Sequence, residues 1–327
     1  MSEVKTSMML KQQVTTAAAW TRDSLSDDDG ILRLDNTCLA EIEKFVALRR
    51  DNPLPTTVLD PDDFAFTACR GLMARAKQCL DDGVGFVIID QLPLASLSRA
   101  EAVDIYWLLA TMVARPVAQK WDGQMIYDVA DSGQKPGNGV RPDITNIEQN
   151  FHTDNSYNLC PPDYVALLCL QKAMTGGINR VVSFYAAHNV MLDRDPDLLA
   201  RLYRPFYFDR QREHAPDDVM VTHHPLFTYD GGRLQARLSH RQVINGQELA
   251  GEPLDAESRA ALDALETIMN EPAMHREFVF EPGQIQIINN AALGHMRTGF
   301  QDWPEAERKR HLVRLWLRDH GRTYYNG

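Results

Sequence analysis

Apolar residues follow a helical period in the first third of the chain and a strand period in the last third. Leu39, Ile42, Phe45 and Val46 share one face at helical spacing and predict a helix over 39–49. Asp60-Pro61 predicts a second helix start, with Asp as N-cap, Pro in the first turn and Gly83 as the stop. A third helix is predicted over 98–114, ending near Pro116. Between the second and third, Val84-Gly-Phe-Val-Ile-Ile-Asp90 predicts a short strand. The polar segment 122–149, with glycines and few apolar residues, predicts a long loop or lid, the plainer alternative being an ordinary surface loop. From Tyr164 the period changes. Tyr164-Val-Ala-Leu-Leu-Cys-Leu170 predicts a buried strand, and Asp195-Pro196 opens a short helix to Tyr203. Segments 227–229 and 234–238 flank Asp230-Gly231-Gly232 and predict a hairpin, 255–269 predicts an amphipathic helix, and 277–280 with 284–288, joined by Glu281-Pro282-Gly283, predict a second hairpin. Helices early and strands late imply an α+β fold on a β-barrel or sandwich scaffold. No repeat or Gly/Ser linker divides the chain, so one domain is expected over 20–327, after an N-terminal extension at 1–19.

Composition removes several classes of function. Lys and Arg number 34 against 45 Asp and Glu, a net charge of −11, which lacks the basic excess of a general nucleic-acid binder. No apolar run approaches the ~18–20 residues that a membrane helix needs. The five cysteines, Cys38, Cys69, Cys79, Cys160 and Cys169, are odd in number and contain no Cys-x-x-Cys pair. A disulfide framework and a thiolate zinc site are therefore not expected, and scattered thiols suit a reducing compartment. Met1–Ala19 lacks the apolar core of a secretory signal, so the expected location is the cytoplasm.

The chemistry concentrates in Asn150-Phe-His152-Thr-Asp154. Residues two apart on a strand point to one side, so His152 and Asp154 converge. An imidazole and a carboxylate are two of the three ligands of the 2-His-1-carboxylate triad of non-haem Fe(II) oxygenases. His-x-Asp alone is common, and a simple His–Asp hydrogen bond at a turn explains it equally. A second histidine must come from elsewhere. His295 follows the predicted strand 284–288 and the polar pair Asn289-Asn290; His223-His224 is the rival, of which only one could face the site. His188, His214, His240, His275, His311 and His320 lie in helical or charged contexts that suit structural or solvated roles. Downstream, Arg310, Leu312, Arg314 and Trp316 share one strand face. Inward arginines are costly unless they meet anions, so this pair implies bound carboxylates; a basic, solvated edge strand is the competing account and covers Arg308, Lys309 and Arg318.

Phe151-His152-Thr-Asp154, then Gly176-Gly177-Ile-Asn179-Arg-Val-Val-Ser183, then Asn289-Asn290 to His295, then Arg310-His-Leu-Val-Arg314 occur in an order that resembles the taurine dioxygenase / clavaminate synthase-like (TauD/TfdA) family, from about Gly83 onward. The resemblance implies a double-stranded β-helix, or jelly roll, with flanking helices, and a reaction that uses Fe(II), 2-oxoglutarate and O2. It implies that His152, Asp154 and His295 ligate iron. It further implies that Arg310 salt-bridges the distal carboxylate of 2-oxoglutarate, that Asn179 stands where the family usually has a Thr or Ser hydroxyl touching the cosubstrate, and that Arg314 lies near the cosubstrate or substrate. The implied activity is hydroxylation of a small polar metabolite, such as an amino acid or a related amine or carboxylate. Desaturation or ring closure is the alternative within the same cofactor class. A His2Asp zinc hydrolase and a non-catalytic metabolite-binding barrel are rivals from other classes. Arg297 could turn inward to bind an anion or pair with a neighbouring acid, and Asp209, beside Arg210, could contact substrate or form a salt bridge at a strand end. The sequence implies no membrane partner and leaves homo-oligomer formation open.

Overall fold

The computed structural model describes residues 8–134 and 141–325. Its mixed helix-and-sheet architecture is built on two sheets lying face to face. The larger has seven strands: Ile31–Arg33, Phe86–Asp90, Ile285–Asn289, Tyr164–Gln171, His311–Arg318 and Arg115–Val117 in spatial order, with Tyr127–Val129 also paired to His311–Arg318. The smaller orders His275–Phe278, Asn179–Ser183, Leu293–Arg297 and Gln149–His152.

Period-two alternation decides which residues lie between the sheets. Phe86, Ile88, Val165, Ile288 and Trp316 from the larger sheet meet Val181, Phe278 and Leu293 from the smaller. Their neighbours Val87, Ile89, Ala166, Leu168, Ile287, Val313, Leu315 and Leu317 face outward into a second apolar layer, covered by the helices Asn36–Asp51, Thr67–Asp81 and Arg99–Val113. The smaller sheet is backed by Phe184–Arg194, Pro196–Leu202 and Ala256–Asn270 through residues such as Met191, Leu202 and Leu265. Register is thereby pinned for function as well. A one-residue slip of His311–Arg318 would drive Arg314 and Trp316 into the helix-facing layer and Val313 and Leu315 inward. No helix among the described residues is long and apolar enough to cross a membrane.

Several expectations hold. The third helix spans Arg99–Val113, with Ser98 and Glu101 forming a capping box. The hairpin Phe227–Asp230 with Arg233–Ala236 is antiparallel as expected. Others are corrected. Asp60 caps only the short turn Pro61–Asp63, and the helix itself begins at Thr67. Glu41, from the preceding helix, supplies the N-terminal carboxylate, accepting from the amides of Ala68 at 2.8 Å and Cys69 at 2.9 Å. The expected second hairpin does not form. His275–Phe278 pairs with Asn179–Ser183 in the smaller sheet, whereas Ile285–Asn289 pairs with Phe86–Asp90 and Tyr164–Gln171 in the larger, so the 279–284 turn carries the chain between sheets. The 122–149 segment is not all loop: it holds the strand Tyr127–Val129, the turn Pro142–Ile144 and the start of Gln149–His152, while 135–140 lie outside the described residues. Within the 1–19 extension, 1–7 also lie outside the described residues. Beyond them the chain is docked on the body, where Val14 exchanges two 2.8 Å hydrogen bonds with the Asn189 side chain and the Ser183 hydroxyl donates to the Ala18 carbonyl.

Candidate active site

His152 ends its strand directly opposite His295 on the neighbouring strand, and Asp154 lies two residues on, at the start of a turn. Strand pairing thus brings together three residues spread over 144 positions, and their ligand atoms all lie within 4.8 Å of one another. Asp154 Oδ1 is 3.4 Å from His152 Nε2 and 3.3 Å from His295 Nε2. The rival His223 and His224 lie on another strand, where His223 stacks on Tyr207 with ring centroids 4.3 Å apart, and they are not in the cluster.

The surrounding groups orient His152 and Asp154 for ligation. His152 Nδ1 donates to the Asn150 carbonyl at 2.8 Å, which leaves the Nε2 lone pair facing Asp154. The Gln149 amide donates to that Nε2 at 2.9 Å, the position a metal would take. Asp154 Oδ2 accepts from Trp316 Nε1 at 2.7 Å and lies 3.2 Å from Arg314 Nη1, so Oδ1 alone remains for the imidazole side. Burial alone would raise the Asp154 pKa. The Arg314 charge and the two imidazoles outweigh it and hold the carboxyl well below its usual range. Burial and the neighbouring His152 lower the His295 pKa, favouring a neutral imidazole. The Asp154 backbone is clamped as well: its N–H donates to Asn290 Oδ1 at 2.8 Å, and Asn290 Nδ2 donates to its carbonyl at 3.0 Å. Asn290 was visible in the sequence only as half of a polar pair. Its role needed the approach of two distant segments.

A cavity of about 320 Å³ opens on the cluster and is walled by His152, Asp154, Arg314 and Trp316, with Asp143, Asn155 and Gln242 farther along. His240 is also on this wall, in the charged context expected of it: its Nδ1 pairs with Glu266 at 2.6 Å, and that hydrogen bond raises its pKa.

The two inward arginines separate. Arg314 is engaged by acidic and amide partners: Nε donates to Gln119 Oε1 at 2.8 Å, and Nη1 lies between Asp154 Oδ2 at 3.2 Å and Asp143 Oδ2 at 3.4 Å. Arg310 is equally buried, yet its Nη1 has no partner. It stacks on the Phe300 ring, its centroid 5.2 Å away, and borders a separate cavity of about 250 Å³ beside Gly176 and Gly177. A side chain at Gly177 would meet Arg310 Nε at 3.4 Å, and the φ of +66° there suits glycine, so the Gly-Gly pair makes room for this arginine. Asn179 is buried on the adjoining strand, its amide 3.5 Å from the Gly177 carbonyl.

The remaining expectations are corrected. Arg297 turns inward but neither binds at the cavity nor pairs with an acid; it donates to the carbonyls of Thr145, at 3.0 Å, and Ile147. Asp209 is off the cavity wall, accepting from the Gln211 amide at 2.7 Å, and Arg210 pairs with Asp218 at 2.8 Å rather than with Asp209. Arg318 is buried, not solvated, and grips the carbonyls of Cys160, Pro161 and Arg322. Its strand is interior to the sheet, not an edge.

Two imidazole nitrogens and one carboxylate oxygen on one side of a metal position form a donor set that fits a ferrous ion and leaves positions open. An unpartnered buried guanidinium fits a carboxylate-bearing cosubstrate. The sequence matches the taurine catabolism dioxygenase TauD, TfdA family over residues 50–316, and the chain belongs to that family. It is accordingly a 2-oxoglutarate-dependent non-haem iron oxygenase that uses Fe(II), 2-oxoglutarate and O2. Among curated proteins it is 29% identical over 325 residues to FR-33289 synthase of Streptomyces rubellomurinus, covering 97% of this chain and 94% of that one. Among solved structures, asparagine oxygenase in complex with Fe(II), 3-hydroxyasparagine and succinate superposes with a TM-score of 0.65 at 18% identity, covering 89% of this chain and 94% of that one. The non-haem iron oxygenase OrfP in complex with Fe and alpha-ketoglutaric acid gives 0.62 at 17% identity over the same shares.

Proposed function

We propose that the protein hydroxylates a small polar metabolite in the cavity beside His152, Asp154 and His295, with these three residues holding the iron. The observation that carries this reading is the convergence of two Nε2 atoms on Asp154 Oδ1 at 3.4 and 3.3 Å, beside an open cavity that His152 and Asp154 help to line. In this reading the two facing sheets are the double-stranded β-helix of the family, within one oxygenase domain over 20–327. The five free cysteines support a cytoplasmic location.

Bound iron with 2-oxoglutarate and O2 would supply the oxidising power, oxidising the cosubstrate to succinate and CO2 while one oxygen atom enters a substrate C–H bond. The protein supplies positions. Asn150 sets the His152 tautomer, Trp316 and Arg314 turn Asp154 Oδ1 to the metal, and Asn290 fixes the peptide on either side of it. Arg310 receives the distal carboxylate of 2-oxoglutarate, with the Asn179 amide beside it; its pKa, lowered to about 10 by burial and by the Arg297 charge, reflects a cation that lacks its counter-ion. Arg314 is a partner of Asp154 and Asp143 rather than a cosubstrate anchor. The 141–149 segment, tied down by Arg297, forms part of the cavity wall. The test is direct. Fe(II) and 2-oxoglutarate added without oxygen should give a visible absorption band, and oxygen should then release one succinate per 2-oxoglutarate consumed. A protein with neither band nor succinate would overturn the reading.

A further inference from the structure

Gln149 reaches the metal position by a route that regular strand geometry forbids. Residues three apart on a strand point to opposite faces, so Gln149 and His152 should point apart. They do not, because the strand Gln149–His152 carries a bulge. His152 lies opposite His295 and Gln149 opposite Arg297, so a three-residue step on one strand meets a two-residue step on the other. Residues opposite one another in an antiparallel pair share a face, and so do His295 and Arg297, two apart on theirs. The extra residue therefore returns Gln149 to the His152 face, the re-aiming that bulges beside active sites provide. The chain leading to it is held in place. Arg297 grips the carbonyls of Thr145 and Ile147, and the Phe300 N–H donates to the Asn146 carbonyl at 3.1 Å.

The carboxamide delivered in this way is half-buried on the cavity wall, and its Nε2 donates to His152 Nε2 at 2.9 Å. Among the described residues it makes no other side-chain hydrogen bond. The other donors around the ligands are committed: His152 Nδ1 to the Asn150 carbonyl, and Trp316 Nε1 and Arg314 Nη1 to Asp154 Oδ2. A metal on His152 Nε2 takes the lone pair that Gln149 uses, so the amide N–H needs another acceptor at the same place. Ferrous iron with three protein ligands keeps positions for small ligands, and the oxygen of a water there is the acceptor at hand. An amide suits this task, because it donates without placing a positive charge beside the metal.

We propose that Gln149 is a positioning residue of the iron site: its carboxamide hydrogen-bonds the water that iron holds on the cavity side, and so sets how readily that water gives way to oxygen. This rests on the oxygenase reading above and adds to it a residue that governs access to the metal.

The test uses nitric oxide, a probe that binds iron where oxygen does. Anaerobic protein loaded with Fe(II) and 2-oxoglutarate is titrated with it, and binding is read from the electron paramagnetic resonance signal of the iron–nitric oxide adduct. Gln149→Met keeps the bulk of the side chain and removes its N–H. It should tighten nitric oxide binding by about two- to tenfold, the effect of losing one neutral hydrogen bond to the water that must leave. The near-infrared bands of the ferrous ion, recorded before nitric oxide is added, should shift towards the pattern of a site with one ligand fewer. Iron content and the visible band should persist. Gln149→Asn, which keeps the amide but shortens its reach, should give the same gain, so the result does not depend on one variant folding. A residue that merely supported His152 would behave differently: its loss would lower iron content, and the iron that remained would bind nitric oxide as before. That pattern overturns the proposal, as does unchanged nitric oxide affinity with unchanged near-infrared bands in both variants, and in either case the oxygenase reading stands. Absence of the visible band in the unmodified protein overturns both.

Discussion

Arg310 and Arg314 lie four residues apart, face the same side of one chain segment and are both buried, yet their surroundings are opposite. Arg314 lies against two carboxylates and a glutamine; burial works against its charge, but Asp154 and Asp143 outweigh that and raise its pKa. Among the described residues no carboxylate forms an ion pair with the Arg310 guanidinium, its Nη1 is idle, and burial lowers its pKa to about 10. A buried cation that is satisfied internally belongs to the architecture. One left unsatisfied is a receptor, whose counter-ion arrives from outside.

The largest effect expected on this contrast comes from removing what Arg314 serves. His295→Ala or Asp154→Ala should abolish stoichiometric iron binding, measured by metal analysis, and succinate release with it. Changing His223 and His224 together should leave iron in place, and the reverse pattern would dissolve the contrast at its root. Next, Arg314→Ala strands Asp143 and Asp154 as buried anions and should cost about 3 kcal/mol or more in urea unfolding of the ligand-free protein. Arg310→Met should cost nothing or raise stability, because it removes a charge without a partner. Equal losses from both would show that the two arginines play one role. Third, Arg310→Ala should weaken 2-oxoglutarate binding by about one to two orders of magnitude, from the loss of a charge-assisted pair worth ~1.5–3 kcal/mol, with iron content unchanged. In the unmodified protein, 2-oxoglutarate at 100 times its Kd should add about 2.7 kcal/mol of stability, a gain that Arg310→Ala should lose at the same concentration. The smallest effect is Trp316→Phe. It removes the 2.7 Å hydrogen bond to Asp154 Oδ2 and should lower iron affinity about tenfold without touching the cosubstrate end.

What was readable in the sequence divides along physical lines. Alternation exposed the shared face of Arg310, Arg314 and Trp316, and a two-residue spacing paired His152 with Asp154. Both are local consequences of strand geometry. The partners that make them work were hidden because each depends on tertiary approach: Asn290 to Asp154, Gln119 and Asp143 to Arg314, Arg297 to the 145 and 147 carbonyls. The false hairpin at 277–288 has the same origin, since a turn signal does not say to which sheet each strand returns. The helix His240–Ala250 was missed for a different reason. Gly246 sits within it, and a side chain there would come within 2.5 Å of the Tyr207 carbonyl, so close packing on Phe206–Asp209 requires the residue that weakens the helical signal.

The hold of Arg297 on the 141–149 segment carries a consequence for how such a protein can diversify. Its guanidinium meets main-chain carbonyls at Thr145 and Ile147, atoms that every amino acid supplies. The course of the segment over the cavity is therefore fastened independently of its side chains. Mutational drift along it can alter what the cavity admits while the fastening stays intact, so new substrate preferences can be sampled without first dismantling the iron centre.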